Sequence, residues 1–516
     1  MVTSTAPLGK LHPTVIHMLA EAASLSPDGE ALVCQDRRMT YRDYLSCVAG
    51  FAHELKGLGV GGGQVATILA NSIEACIANF AAQAAGAQLV PLNPLYTARE
   101  LGFILADAVP RVLIVDAALR DLAETLARDV GIAHLIVLGQ GVRLLDEWRG
   151  QDVALPLPLP EPDAPGLLQY TGGTTGRPKG VNLTHRAVAT NVAQREGILP
   201  TKVETERVLC VLPLFHSYAM HMAWYLAANA RGCMVILPRY RPDDLLRTIV
   251  AEKITIFPGS PTIFIGLMGH ADFAKTDWSR VHTCYSGSAP LSEETLKAWQ
   301  QAVGCFILEG YGQTEAGPIV SYNPPAAPKV GSCGLVLART EAQIVDVEQG
   351  NSVLGTGEVG EIRVRGPQVM TEYRNLPDET ASTLRDGWLY TGDIGEFDAD
   401  GYLFIRDRKK DMAIVGGYNV YPREIDEVLF MHPGVQDAAS VGVPDSYRGE
   451  VIWAYVVAKA GIALTDEDVL AHCRANLAKY KVPARVRVVA ALPKTTVSKT
   501  DKKALRALAA EAKASE

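Results

Sequence analysis

Between Tyr170 and Gly180 the chain reads Tyr-Thr-Gly-Gly-Thr-Thr-Gly-Arg-Pro-Lys-Gly, a combination suited to holding phosphate. Glycines lack a Cβ, so their backbone N–H groups approach anionic oxygens closely. Thr171, Thr174 and Thr175 add hydroxyl donors, and Lys179 adds a positive charge. A Gly/Thr-rich turn alone is more often a flexible connector. The lysine, and the run Gly166-Leu-Leu-Gln169 that feeds the turn, favour the phosphate reading. A mononucleotide P-loop ends Gly-Lys-Ser/Thr. Here Arg177-Pro178 intervenes, which disfavours a Walker-type ATPase.

Other polar groups stand alone. His216 by itself reads as a core histidine, and Asp393 as a turn residue. The run Arg406-Asp-Arg-Lys-Lys-Asp411 reads first as a solvated face, but it falls where the character of the chain changes. A lysine-rich segment, Leu492-Pro-Lys-Thr-Thr-Val-Ser-Lys-Thr-Asp-Lys502, lies near the end.

The elements that must carry these groups alternate. Thr40 followed by Asp43 resembles a helix N-cap, after which Tyr44, Cys47, Val48, Phe51 and Leu55 recur at helical spacing until Gly57 and Gly59. Residues 64–69 predict a strand, 72–85 a helix and 87–92 another strand, a βαβ rhythm implying a largely parallel, doubly covered sheet. The Pro-rich stretch 155–162 predicts an extended connector separating two subdomains of the larger lobe. Beyond about Ile405 a smaller unit follows, with helices over 422–429 and 466–479, the latter capped by Thr465. Its strands are expected over 435–443, 451–459 and 485–489, followed by an Ala-rich tail. The fold class is therefore α/β: a large N-terminal multi-subdomain lobe (1–407) and a small α+β domain (408–516), joined by a hinge at 407–411.

Bulk properties exclude several classes. The 516 residues are 48% hydrophobic and 21% charged, ordinary for a globular protein of at least two domains. A net charge of -8 argues against nucleic acid as a partner. Nine scattered cysteines with no C-x-x-C pair suggest neither a disulfide framework nor zinc, and fit a reducing cytoplasm. The N-terminus does not read as a signal peptide. The apolar segment from Phe80 to Tyr96 is interrupted too often to span a bilayer and reads as a buried helix running into a strand. Peripheral membrane contact, and the choice between monomer and homodimer, stay open.

Taken with its neighbours, the loop resembles the phosphate-binding signature of the adenylate-forming superfamily: acyl-CoA synthetases, adenylation domains and luciferases. The form Thr171-Gly172, where Thr-Ser is usual, is closer to bacterial fatty acyl-CoA ligases. Further segments follow in the family's order. Leu212-Pro-Leu-Phe-His-Ser217 resembles the segment whose histidine lies by the acyl pocket. Ser286-Gly-Ser-Ala-Pro-Leu291 resembles the adenine-side turn, with Ser288, Ala289 and Pro290 at the nucleotide. Tyr311-Gly-Gln-Thr-Glu315 resembles the segment whose Tyr stacks on adenine, whose Thr touches phosphate and whose Glu holds magnesium. Tyr390-Thr-Gly-Asp393 resembles the ribose site.

The resemblance implies ATP, Mg²⁺ and coenzyme A as reactants and cofactor, and a small carboxylic acid as substrate. The nucleotide would meet Thr171, Gly172, Gly173, Thr174, Thr175, Gly176, Lys179, Tyr311, Gly312, Gln313, Thr314, Asp393 and Arg408, with Mg²⁺ on Glu315. Lys499 matches the catalytic lysine and Lys410 the hinge pivot; a Ser, Ser498, precedes Lys499 where the family has Gly. Val415-Gly-Gly-Tyr-Asn-Val420 resembles the hairpin lining the coenzyme A tunnel, giving that role to Gly416, Gly417 and Tyr418. Expected acyl-pocket residues are His216, Tyr218, Met222, Trp224, Ile263, Phe264, Gly287 and Gly310, the two glycines leaving space for a chain or ring. A dicarboxylate would need a cation, for which His282 is the candidate. The expected activity is AMP-forming acid–thiol ligation of a medium- or long-chain fatty acid. Alternatives are an aryl-acid ligase (benzoate or coumarate type) and a stand-alone adenylation enzyme loading a carrier protein.

Overall fold

The computed structural model describes residues 2–4, 6–171, 178–287, 289, 291–416, 418–445, 447–495 and 499–514. Among these residues the strands form four sheets, three in the large lobe and one in the small.

Two of the large sheets share a helical layer. The seven-stranded sheet sets Gln64–Ile68 between Gln88–Pro91 and Val112–Asp116, parallel to both. The nine-stranded sheet sets Ile256–Gly259 between Thr283–Ser286 and Arg207–Cys210, also parallel. Alternation along each strand divides the core. Val112 and Ile114 join the middle layer while Leu113 and Val115 face outward; Val208 and Cys210 face the middle while Leu209 and Val211 face the other way. The result is two doubly covered sheets, where the sequence predicts one kind.

Local chemistry explains the middle helices. Thr40 caps Tyr41–Gly57 by accepting from the Asp43 N–H at 3.2 Å, an arrangement worth about 1 kcal/mol. Ser72 caps Ile73–Ala84 in the same way, and that helix is buried on every side. The expected buried helix running into a strand is this one, with Gln88–Pro91.

The Pro-rich connector does not separate subdomains. His134–Leu138 before it and Pro165–Thr171 after it belong to the same sheet. The connector instead crosses helix Tyr41–Gly57, with His53 and Lys56 bonded to the carbonyls of Ala154 and Leu157.

A six-stranded sheet ends at Leu403–Arg408, paired antiparallel with Trp388–Phe397. Beyond it the small lobe's five strands include Val435–Asp445 and Gly449–Ala458, flanked by helices Pro422–Phe430 and Asp466–Asn476; Thr465 caps the latter in a capping box with Asp468. The Ala-rich tail is a packed helix, Lys502–Ala514, whose Leu505 and Ala509 bury against Val441, Trp453 and Tyr455. Alanine carries little hydrophobic signal, so the two-face pattern of this helix is faint in the sequence. The lobes touch where Arg423 lies 3.9 Å from the buried Glu309.

Candidate active site

Asp393 and Arg408 stand opposite each other in the ladder between Trp388–Phe397 and Leu403–Arg408. Arg408 Nε lies 3.2 Å from the buried Asp393 carboxylate, whose other oxygen accepts from the Tyr311 hydroxyl at 2.6 Å. Burial raises the Asp393 pKa, opposed by Arg408, the Tyr311 hydroxyl, Lys410 and Lys499. Lys499 comes to this group from the small lobe. Burial lowers its pKa to about 8, Arg408 lowering it further and Asp393 opposing. Burial, helped by Lys499, takes His216 down to about 3, so the imidazole is neutral at ordinary pH. His216 Nδ1 accepts from the Tyr218 N–H at 3.3 Å. Six residues drawn from several parts of the sequence (His216, Tyr311, Asp393, Arg408, Lys410 and Lys499) thus share one electrostatic neighbourhood, able to place a cation beside an anionic reactant.

The strand pair that flanks the Gly/Thr-rich loop is also in place. Thr171 and Lys179 are register partners in the ladder of Pro165–Thr171 with Lys179–Thr184. Lys179 Nζ pairs with Glu379 and lies 5.1 Å from the Tyr373 ring centroid. The Tyr373 hydroxyl donates to Glu315 Oε1 at 2.7 Å. Among the described residues no hydrogen bond reaches Glu315 Oε2. A single half-buried carboxylate with one oxygen to spare fits Mg²⁺, which commonly takes one or two carboxylates plus substrate phosphates. Sequence reasoning missed Tyr373 and Glu379; neither sits in a patterned segment, and only their spatial position reveals them. Gly312 and Gln313 continue the same strand end, where the Gln313 N–H donates to the Pro318 carbonyl at 2.9 Å.

Gly172, Gly173, Thr174, Thr175, Gly176, Ser288, Pro290 and Gly417 lie outside the described residues, whereas Ala289 is described and half-buried. Lys410 adds to the field at Asp393, while its neighbour Lys409 ties to the large lobe through Glu361 at 2.9 Å. The hairpin of Ala413–Val415 and Tyr418–Val420 forms as expected, with its contacts in the small lobe: the Gly416 N–H donates to the Arg448 carbonyl, and Tyr418 stacks on Tyr480 at 4.7 Å.

The expected acyl pocket is corrected at several points. Trp224 faces the core: its indole N–H donates to the Tyr44 hydroxyl at 2.9 Å and its ring packs 4.2 Å from Phe80. Met222 is fully buried in the same middle layer. Ile263 and Phe264 pack in the layer on the far face of the nine-stranded sheet, away from Tyr218. His282 precedes strand Thr283–Ser286, at the end opposite Gly287, and bonds Glu206 at 3.1 Å. Gly287 and Gly310 leave no open space, because a Cβ on Gly287 would meet the Tyr218 ring at 2.7 Å and one on Gly310 the Tyr322 ring at 2.2 Å. Tyr322 carried no sequence signal beyond its apolar strand.

The AMP-binding enzyme family model matches residues 19–374, and the AMP-binding enzyme C-terminal domain model matches residues 424–499. The chain is 36% identical to the long-chain-fatty-acid–CoA ligase of Bacillus subtilis (strain 168), covering 94% of this chain and 93% of that protein. It is 33% identical to 4-coumarate-CoA ligase 1 of Narcissus pseudonarcissus, covering 92% and 90%. The crystal structure of the anthranilate CoA ligase AuaEII with anthranoyl-AMP superposes with a TM-score of 0.91 at 29% identity, covering 99% of this chain and all of that one. The chain therefore belongs to the AMP-binding enzyme family, within the adenylate-forming superfamily. It is an AMP-forming acid–thiol ligase. No helix among the described residues is long and apolar enough to cross a membrane.

Proposed function

We propose that the protein uses ATP to convert a carboxylic acid into an acyl-adenylate, releasing pyrophosphate, and then transfers the acyl group to coenzyme A. The observation that carries this is the buried Asp393 carboxylate held by Arg408 and Tyr311, with the charge of Lys499 from the small lobe acting on it and on His216. Attack of a carboxylate on the α-phosphate brings two anions together, so a cation held where charge develops lowers the barrier. Lys499 takes that role. Asp393 accepts from the ribose hydroxyls, Arg408 steadies the same end, and Tyr311 supports the adenine. Lys179, leaving Glu379, and the threonines of the loop orient the phosphates and the departing pyrophosphate. Thr314 touches phosphate, Glu315 would hold Mg²⁺ there, and a bound ion would neutralise phosphate charge. Neutral His216 borders the acyl group without placing a second charge beside the carboxylate.

For the second half, residues 408–516 are the mobile unit, with Lys410 as pivot and the Gly416 hairpin, with Gly417 and Tyr418, brought to the adenylate for the thiol. The coenzyme A sulfur attacks the mixed anhydride, and AMP leaves with the bonding electrons. The acid is a medium- or long-chain fatty acid on the likeness to the Bacillus subtilis ligase. A second reading, an aryl acid, is favoured by the tyrosine rings filling the spaces beside Gly287 and Gly310. The test is pyrophosphate release by purified protein with ATP, Mg²⁺ and a panel of acids, with and without coenzyme A. Acid-dependent release with thioester formation is expected; an absolute need for a carrier protein in place of coenzyme A would overturn it.

A further inference from the structure

Lys179 opens strand Lys179–Thr184, and its largely buried side chain reaches both the Tyr373 ring and the Glu379 carboxylate. The acidic partner is held by backbone that a ligand does not easily displace. Tyr373 pairs with Val181 across an antiparallel ladder, and the Arg374 N–H donates to the Gly180 carbonyl at 2.7 Å. The Arg374 guanidinium donates to the carbonyls of Asp107 and Ala108 at 2.9 and 3.2 Å. The Tyr373 N–H donates to Thr380 Oγ1 at 3.0 Å, and that hydroxyl donates onward to the Leu376 carbonyl at 2.8 Å. Helix Pro377–Thr383, with Glu379 in its first turn, is thereby fixed to the strand that carries Lys179. Lys179 instead bears its ammonium on a flexible stem, so it is the member of the pair that can move.

Three charges gather around Tyr373: the Lys179 ammonium near its face, Glu315 on its hydroxyl, and Glu379 on the ammonium. One cation stands against two carboxylates. A triphosphate with its bound ion would bring a partner for Glu315 and anionic oxygens for Lys179, but nothing for Glu379. Among the described residues no other ion pair reaches Glu379. A phosphate that takes the lysine must therefore break an ion pair, and a pyrophosphate that leaves finds the lysine matched again. A partly exposed pair adds little to folding stability, so its effect belongs to ligand binding.

We propose that Glu379 is a positioning residue that acts through Lys179. It is a built-in counter-anion that occupies the lysine while the phosphate site is empty, yields it to the β- and γ-phosphates of ATP, and takes it back as pyrophosphate leaves. Polyphosphate binding is weakened by the fraction of lysine so occupied. AMP, which has neither of those phosphates, is unaffected. This rests on the phosphate role given to Lys179 above and adds the control of that role.

The test is calorimetric titration of the full chain with ATP, inorganic pyrophosphate and AMP, each with Mg²⁺ and without any acid, so that no turnover intervenes. The variants are Glu379→Gln, Glu379→Asp, Lys179→Met and the double variant Lys179→Met with Glu379→Gln, each checked for an unchanged cooperative melt. Glu379→Gln should tighten ATP and pyrophosphate by about three- to sixfold, because apparent affinity scales with the fraction of lysine left free. It should leave AMP unmoved. Glu379→Asp keeps the charge and should stay close to the wild type. Lys179→Met should weaken ATP and pyrophosphate by about tenfold or more, the worth of a charged hydrogen bond, again sparing AMP. In that background Glu379→Gln should change nothing further. ATP and pyrophosphate affinities that drop with Lys179→Met but ignore Glu379→Gln overturn the counter-anion alone. So does an equal gain from Glu379→Gln in the Lys179→Met background, or a shift in AMP as large as that in ATP. Affinities unmoved by Lys179→Met overturn the phosphate role of Lys179 and the counter-anion together.

Discussion

If Lys499 acts as a cation, the adenylation half-reaction must lose rate as that cation is titrated away. Burial and the Arg408 guanidinium bring its pKa down to about 8 from the ordinary lysine value of 10.5. The active species is the protonated one, present below this value and lost as pH rises through it. About nine-tenths of the lysine is charged at pH 7, about half at pH 8 and about a tenth at pH 9. Because kcat/KM reports the free enzyme, it should fall about tenfold per pH unit above 8. Bound ATP adds phosphate charge that favours the cation, so the corresponding limb in kcat should lie higher. The fall should level at the rate of Lys499→Ala, about 10²–10³ below wild type if the lysine contributes like one oxyanion-hole donor. Pyrophosphate release under saturating acid gives the profile; transfer from preformed acyl-AMP to coenzyme A is the control and should survive Lys499→Ala. A wild-type kcat/KM that stays flat to about pH 9.5, or an alkaline limb that persists in Lys499→Ala, would refute the assignment.

Trp224→Ala should cost about 3–5 kcal/mol in urea unfolding, because it removes a ring packed on Phe80 and Tyr225 and leaves the Tyr44 hydroxyl without its donor. The same variant should leave the ratio of activities among acids unchanged, and a shifted ratio would return Trp224 to the pocket. Glu309 is raised to about 7 by burial, with Arg423 opposing. The folded state then holds a proton that the unfolded chain releases near 4.5, so stability should decline as pH rises from about 4.5 to 7, by up to about 3 kcal/mol. Glu309→Gln should flatten that decline, measured as the difference in unfolding free energy between pH 5 and pH 7.5; an unchanged slope would place the proton elsewhere.

The sequence made the nucleotide side of the site more legible than the acyl side, and the reason is physical. Tyr311, Asp393, Arg408 and Lys499 sit in polar segments where their types are unusual enough to be noticed, and they do converge. Pocket residues are apolar, and an apolar residue that lines a cavity has the same pattern as one that packs. Trp224 and Ile263 were therefore indistinguishable from core in the sequence, and both are core. Gly287 and Gly310 mislead for a related reason: a missing Cβ signals close approach, without saying whether a ligand or a neighbouring ring approaches. The alternation of strands and helices around residues 64–92 announced a doubly covered sheet. That two such sheets would share one helical layer depends on long-range pairing that periodicity does not encode.

Tyr373 touches two groups to which the proposal gives separate tasks. Its face stacks under the Lys179 ammonium while its hydroxyl holds Glu315. Whatever draws Lys179 off that face, or pulls Glu315 toward an ion, tugs on the same six-membered ring. With Lys179 and Glu315 in the phosphate and ion roles proposed for them, both contacts would bear on this one side chain. Phenylalanine in its place would keep the cushion and cut the tether.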